Sequence, residues 1–140
     1  MYIDKRLELS ARQAISGTDP VPTTNTIDVG LNRNIGPGET MYAVIVVRTG
    51  LTGTSSPTAK VTLQTDDSDS FGSPAAIAEL PAQAASAFVA GAMFVIPLPF
   101  KNEQFIRGLV TLTGTTPATE VDIFLTNQHP THWKALPDGL

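Results

Sequence analysis

Apolar and polar residues alternate with a period of two along much of this chain, and turn-forming clusters interrupt the alternation at short intervals. Successive side chains of a strand point to opposite faces, so a half-buried strand must alternate in this way. Residues 60–65 show it most clearly, with Val61 and Leu63 opposite Lys60, Thr62 and Gln64. Residues 120–126 repeat the pattern, with Val121, Ile123 and Leu125 opposite Glu120, Asp122 and Thr126, and Phe124 breaks the polar face. Residues 42–47 are apolar on both faces, as suits a central strand covered on both sides. Residues 5–9, 26–29, 75–80, 93–98 and 105–113 bring the expected total to about eight strands.

Between these stretches lie clusters that stop a helix: residues 16–20, 35–38, 50–57 and 114–117, all rich in Gly, Pro, Ser, Thr or Asp. Eleven Gly and eleven Pro in 140 residues reinforce the point. The exception is residues 81–90, where Ala82, Ala84, Ala85, Ala87 and Ala90 favour one short helix or a compact loop. The expected fold is all-β, a jelly-roll-like antiparallel β-sandwich with at most one short helix. Val44, Val46, Val61, Leu63, Val110, Leu112, Val121 and Ile123 are its expected core. A single domain over residues 1–140 accommodates all of this, with the N-terminal segment 1–12 and the C-terminal tail 127–140 as candidate arms.

Composition narrows the function. The chain has no cysteine, which removes disulfides, thiolate zinc sites and a thiol nucleophile. Its formal charge is −4 and its few basic residues are scattered, so no patch matches a phosphate backbone, and no direct nucleic-acid binding is expected. No apolar run approaches the ~20 residues needed to span a bilayer, and residues 1–12 lack the apolar core of a signal peptide; we expect no membrane association and synthesis in a cytoplasm.

Few residues nominate themselves for chemistry. The acidic turn Asp66, Asp67, Ser68, Asp69 and Ser70 invites a metal reading, because hard cations gather carboxylate oxygens. Aligned as a calcium loop from Asp67, it fails where Phe71 and Ala78 stand in ligand places, so a solvated turn whose Asp side chains bond local N–H groups is expected. His129 and His132 flank Pro130, which denies them a shared helical face, and no zinc signature surrounds them. The Gly-x-Ser-x-Gly nucleophile elbow is absent. Gly36 and Gly38 do not open a dinucleotide fingerprint, since Met41 holds the third glycine place and a strand follows. The chain is expected to be neither an enzyme nor a cofactor binder.

Contact residues are a different matter. Leu7 and Leu9 alternate with Arg6 and Glu8, which suits an edge strand added to the protein's own sheet or to a neighbour's. Trp133, the sole tryptophan, lies in a polar, proline-bounded tail and either anchors a partner or caps its own sandwich. Tyr2, Ile3, Leu7, Leu9 and Trp133 are therefore the candidate partner-binding residues.

Several short stretches, taken in order, carry a family resemblance: Ile3-Asp4-Lys5 with Leu7-Glu8-Leu9-Ser10; Thr26-Ile27-Asp28-Val29-Gly30; Ile35-Gly36 with Gly38-Glu39; Leu63-Gln64-Thr65-Asp66-Asp67; Phe71 with Ser73-Pro74; and Ala90-Gly91-Ala92 leading into Phe94-Val95-Ile96-Pro97-Leu98-Pro99. Over residues 3–113 the chain resembles the capsid cement, or decoration, proteins of tailed bacteriophages, of the type found in a Bordetella phage. The resemblance implies a jelly roll on the outer surface of an icosahedral shell, bound to major capsid proteins of the HK97-like fold, paired as homodimers and stabilising the shell. It brings no catalytic residues.

The rival reading is a carbohydrate- or receptor-binding β-sandwich, because jelly rolls also host lectins. It requires a groove of exposed aromatics, for which only Tyr2, Tyr42 and Trp133 are available.

Overall fold

The computed structural model describes residues 5–29, 41–99 and 103–127. A 3-10 turn (Lys5–Leu7) leads into seven strands: β1 (Glu8–Ser16), β2 (Val21–Pro22), β3 (Ile27–Asp28), β4 (Tyr42–Asp66), β5 (Ala75–Ala84), β6 (Met93–Pro97) and β7 (Phe105–Thr126). Two of these, β4 and β7, are 25 and 22 residues long and pair antiparallel from Tyr42 against Thr126 to Asp66 against Phe105.

This ribbon is broken in its middle. Its register shifts repeatedly between Val47 and Thr58, and Gly53, Ser55 and Ser56 on β4 and Gly114 and Thr116 on β7 adopt positive φ there. Bulges of this kind bend a strand and increase its twist. The first half of the ribbon is flanked by β6 and β1, the second by β5 and by the short β2 and β3. Each half is thus a layer four strands wide, β2 and β3 following one another along the same side of β7, which accounts for the eight stretches legible in the alternation although two pairs of them are continuous strands.

One buried cluster joins the layers. Ala43, Ile45, Val47, Val121, Ile123 and Leu125 enter it from the first layer, and Ala59, Val61, Leu63, Ile106, Val110 and Leu112 from the second. On β7 the inward residues are even-numbered from Ile106 to Leu112 and odd-numbered from Val121 to Leu125. Side chains alternate strictly, so only an irregularity between these stretches restores the apolar set to the core side, and the Gly114 and Thr116 bend supplies it. The layers approach closely at Gly108, where a Cβ would sit 2.7 Å from Thr23 Cγ2 and 3.8 Å from Ile123 Cδ1. The molecule is an all-β antiparallel sandwich, as expected.

Seven of the eight expected core residues are fully buried; Val46 is not. Ala43, Ile45 and Val47 turn inward, which puts Val46 on the outer face beside Met93 and Asp122, where it is half-buried. Val44 shares that face and is buried beside its register partner Phe124, so residues 42–47 are indeed covered on both sides.

Of the short helix or compact loop expected near residues 81–90, the structure has the loop, preceded by strand. β5 continues to Ala84, paired with β4 as far as Thr58, and turns follow. Only one helix-like turn forms, with the Ala87 and Phe88 N–H groups both donating to Ala84 O. Phe88 is fully buried and stacks on Phe94 at 5.5 Å, and the Leu51 N–H donates to its carbonyl. Ladder bonds and an aromatic anchor outweigh the few tenths of a kcal/mol per residue that alanine propensity supplies.

Candidate interaction surface

From Glu8 onward the N-terminal part of the described chain serves the protein's own sheet. β1 pairs with β7, Glu8 against Phe124 and Ser10 against Ile123, and the buried Ser10 Oγ accepts the Ile123 N–H at 3.1 Å. Leu9 has no exposed surface and lies in the core, while Leu7 packs half-buried at its margin. Leu9 is therefore corrected from candidate contact to core residue: the edge strand its alternation describes is added to β7 of the same chain. Tyr2, Ile3 and Trp133 lie outside the described residues, as do His129 and His132.

The edge of β1 is not left open. The Asn25 N–H donates to Leu9 O at 2.8 Å, Asn25 Nδ2 to Glu8 O at 3.3 Å and Gln13 Nε2 to Pro22 O at 2.9 Å, while Gln13 Oε1 accepts the Thr24 N–H at 3.0 Å. Residues 22–25 thereby close this side of the sandwich. A bulge at Arg12, whose φ is +48°, is held by Asp122: its Oδ1 accepts the Arg12 N–H and its Oδ2 pairs with Arg48 Nε.

The acidic turn is closed on itself. Asp66 is buried, with Oδ1 accepting the Ser68 N–H at 3.1 Å and Oδ2 the Ser73 N–H at 2.8 Å. The Ser73 N–H bond holds its carboxyl below the usual carboxylate range; burial opposes this and the Ser68 bond assists it. Phe71, at φ +50°, is buried under the Arg107 guanidinium, 4.2 Å from the ring centre, and Arg107 Nε donates to Gln64 Oε1 at 3.0 Å. Among the described residues no three carboxylate or imidazole groups converge as a metal site.

The opposite side of the sandwich is different. There β5 and β6 are the outermost strands of the two layers, and a groove of about 510 Å³ runs between them. Ile77, Ala78 and Glu79 line one wall and Ile96, Pro97, Leu98 and Pro99 the other. Among the described residues of that lining Glu79 alone is ionisable, and its carboxylate pairs with Lys60 Nζ at 3.1 Å on the outer surface. The alternation did not reveal this groove, although Pro81, Pro97 and Pro99 are marks of sheet edges.

Comparison with known families places the chain. The model of the Bbp16 family matches residues 9–125, and the chain belongs to that family. Bbp16 is a family of Bordetella phage proteins, which indicates a phage structural protein associated with the virion. No curated protein matches the chain. Among solved structures, one similar chain is the Clostridium thermocellum endo-1,4-beta-D-xylanase 10B, CBM22-1-GH10 modules complexed with xylohexaose: TM-score 0.42, 16% identity, 93% of this chain covered. The match spans 30% of that structure's chain. No helix among the described residues is long and apolar enough to cross a membrane.

Proposed function

We propose that the protein is a capsid cement protein: it binds the outside of an icosahedral phage shell, bridges neighbouring major capsid proteins of the HK97-like fold, and stabilises the lattice without catalysis or cofactor. Membership of a phage protein family over residues 9–125 is the observation that carries this reading. A ligand that binds only the assembled lattice stabilises it by mass action, about 2.7 kcal/mol per site at a hundredfold excess over Kd, and repetition over the shell multiplies the effect. The binding unit in this reading is a homodimer, whose two-fold contact suits symmetric sites between capsomers. Among the described residues the groove lining has no aromatic ring for a sugar to stack on, so the carbohydrate-binding alternative gains nothing from it.

The test is co-sedimentation of purified protein with empty, expanded shells that lack it. Saturable binding to shells, none to unassembled capsomers, and a higher shell melting temperature are expected. Absence of binding to intact shells overturns the proposal. Sedimentation equilibrium of the free protein checks for the dimer.

A further inference from the structure

We propose that the free edge of β5 is a docking site for an extended arm of the shell protein, which adds a strand to the second layer and fills the groove with its side chains. This rests on the cement reading and names the contact through which it acts.

A sheet edge displays unpaired N–H and C=O groups, and proteins usually cover or blunt such edges. In this molecule the β1 edge is covered by residues 22–25 and bent at Arg12. The β2 and β3 strands are two residues each. β6 is five residues long and runs into Pro97 and Pro99, which have no N–H to offer. β5 is blunted only in its second half, by Pro81. Ahead of Pro81 the six residues from Ala75 to Leu80 pair with β4 on one side and, among the described residues, with nothing on the other. At about 3.3 Å per residue that edge is ~20 Å long, enough for one ordinary strand.

The groove makes the edge specific. A strand added outside β5 continues the second layer, and its inward side chains fall over Ile77, Ala78, Ile96 and Leu98. In strand addition, main-chain bonds supply affinity while pockets for alternate side chains supply selectivity. The lining requires apolar residues at those alternate positions. The one charge on this edge, Glu79, is already answered by Lys60, so the site calls for an uncharged arm. A second folded copy pairing through its own β5 does not meet this requirement. That edge brings a second Glu79, and its inward residues Ile77, Ala78 and Leu80 already pack against their own core, so the copy offers neither an uncharged strand nor a side chain free for the groove. A segment outside any sandwich can offer both.

Hydrogen exchange on free and shell-bound protein, with two variants, decides the matter. Amides within residues 75–80 that face the free edge are expected to exchange at least about tenfold more slowly on the shell. Ile77→Glu, which puts a charge in the groove, is expected to weaken shell binding at least about tenfold with the fold intact by circular dichroism. Val89→Glu, at an exposed turn residue outside the groove, is expected to leave binding unchanged. Wild-type binding without new protection at residues 75–80 overturns the strand addition alone, as does full occupancy by a folded Ile77→Glu protein. If Ile77→Glu fails to fold, the exchange result decides. If the wild type does not bind shells at all, both this inference and the cement reading fall.

Discussion

Gly108 shows how tightly single residues are constrained. Its N–H donates to Thr23 Oγ1 at 3.0 Å, and a Cβ there meets the Thr23 methyl at 2.7 Å. Thr23 is buried and β-branched, so it cannot swing aside cheaply. Gly108→Ala should cost about 1–3 kcal/mol in urea unfolding, and Thr23→Ser, which removes the methyl and keeps the hydroxyl, should recover part of the loss in the double variant. Asp66 sets a pH dependence. Its carboxyl is held below the ordinary value by the Ser73 and then the Ser68 N–H, so its stabilising contribution is complete above the unfolded-state value of roughly 3.9. That contribution is lost as pH falls through the lower folded-state value. Denaturant midpoints measured from pH 6 to pH 2 should fall less steeply for Asp66→Asn than for the wild type.

Strand ends and bends, rather than strand interiors, distinguish the elements of this fold. The ribbon of β4 and β7 folds over at residues held in positive φ, of which Gly114 is the most crowded: a Cβ there lies 2.8 Å from Thr54 O. Gly114→Ala should destabilise by about 1–3 kcal/mol, measured by thermal unfolding, because both the conformation and the space exclude a side chain. β1 depends on Asp122, whose carboxylate fixes the Arg12 bulge and pairs with Arg48. Asp122→Ala leaves the Arg12 N–H without its acceptor and should cost about 1–3 kcal/mol, with faster amide exchange confined to β1 and its partner residues on β7.

For the whole molecule, the long ribbon governs both assembly and stability. Its pairs join residues as distant in sequence as Tyr42 and Thr126, so little native structure forms before long loops close. Refolding should take milliseconds to seconds, in stopped-flow fluorescence or circular dichroism, as in other sandwiches of non-local pairing. Phe88 anchors the turn that joins the two layers' outer strands, and Phe88→Ala should cost about 3–5 kcal/mol.

Alternation alone determined that the protein is all-β, where most strands run, and that Val61, Leu63, Val110, Leu112, Val121 and Ile123 share buried faces. It also showed that residues 42–47 are apolar on both sides, and Phe124 that the polar face of its strand was interrupted. It did not show which face of residues 42–47 meets the second layer, so Val46 was placed in the core where Val47 belongs. The alanines of residues 81–90 read locally as either a short helix or a compact loop, and Leu9 read equally well as core or contact. Only the tertiary structure decided these points, and only it placed the groove between β5 and β6. The physical reason is that a period of two is a property of each strand by itself. Which face is inward, where a strand bends and which edge stays open depend on neighbours distant in sequence, and one bulged residue is enough to exchange the two faces.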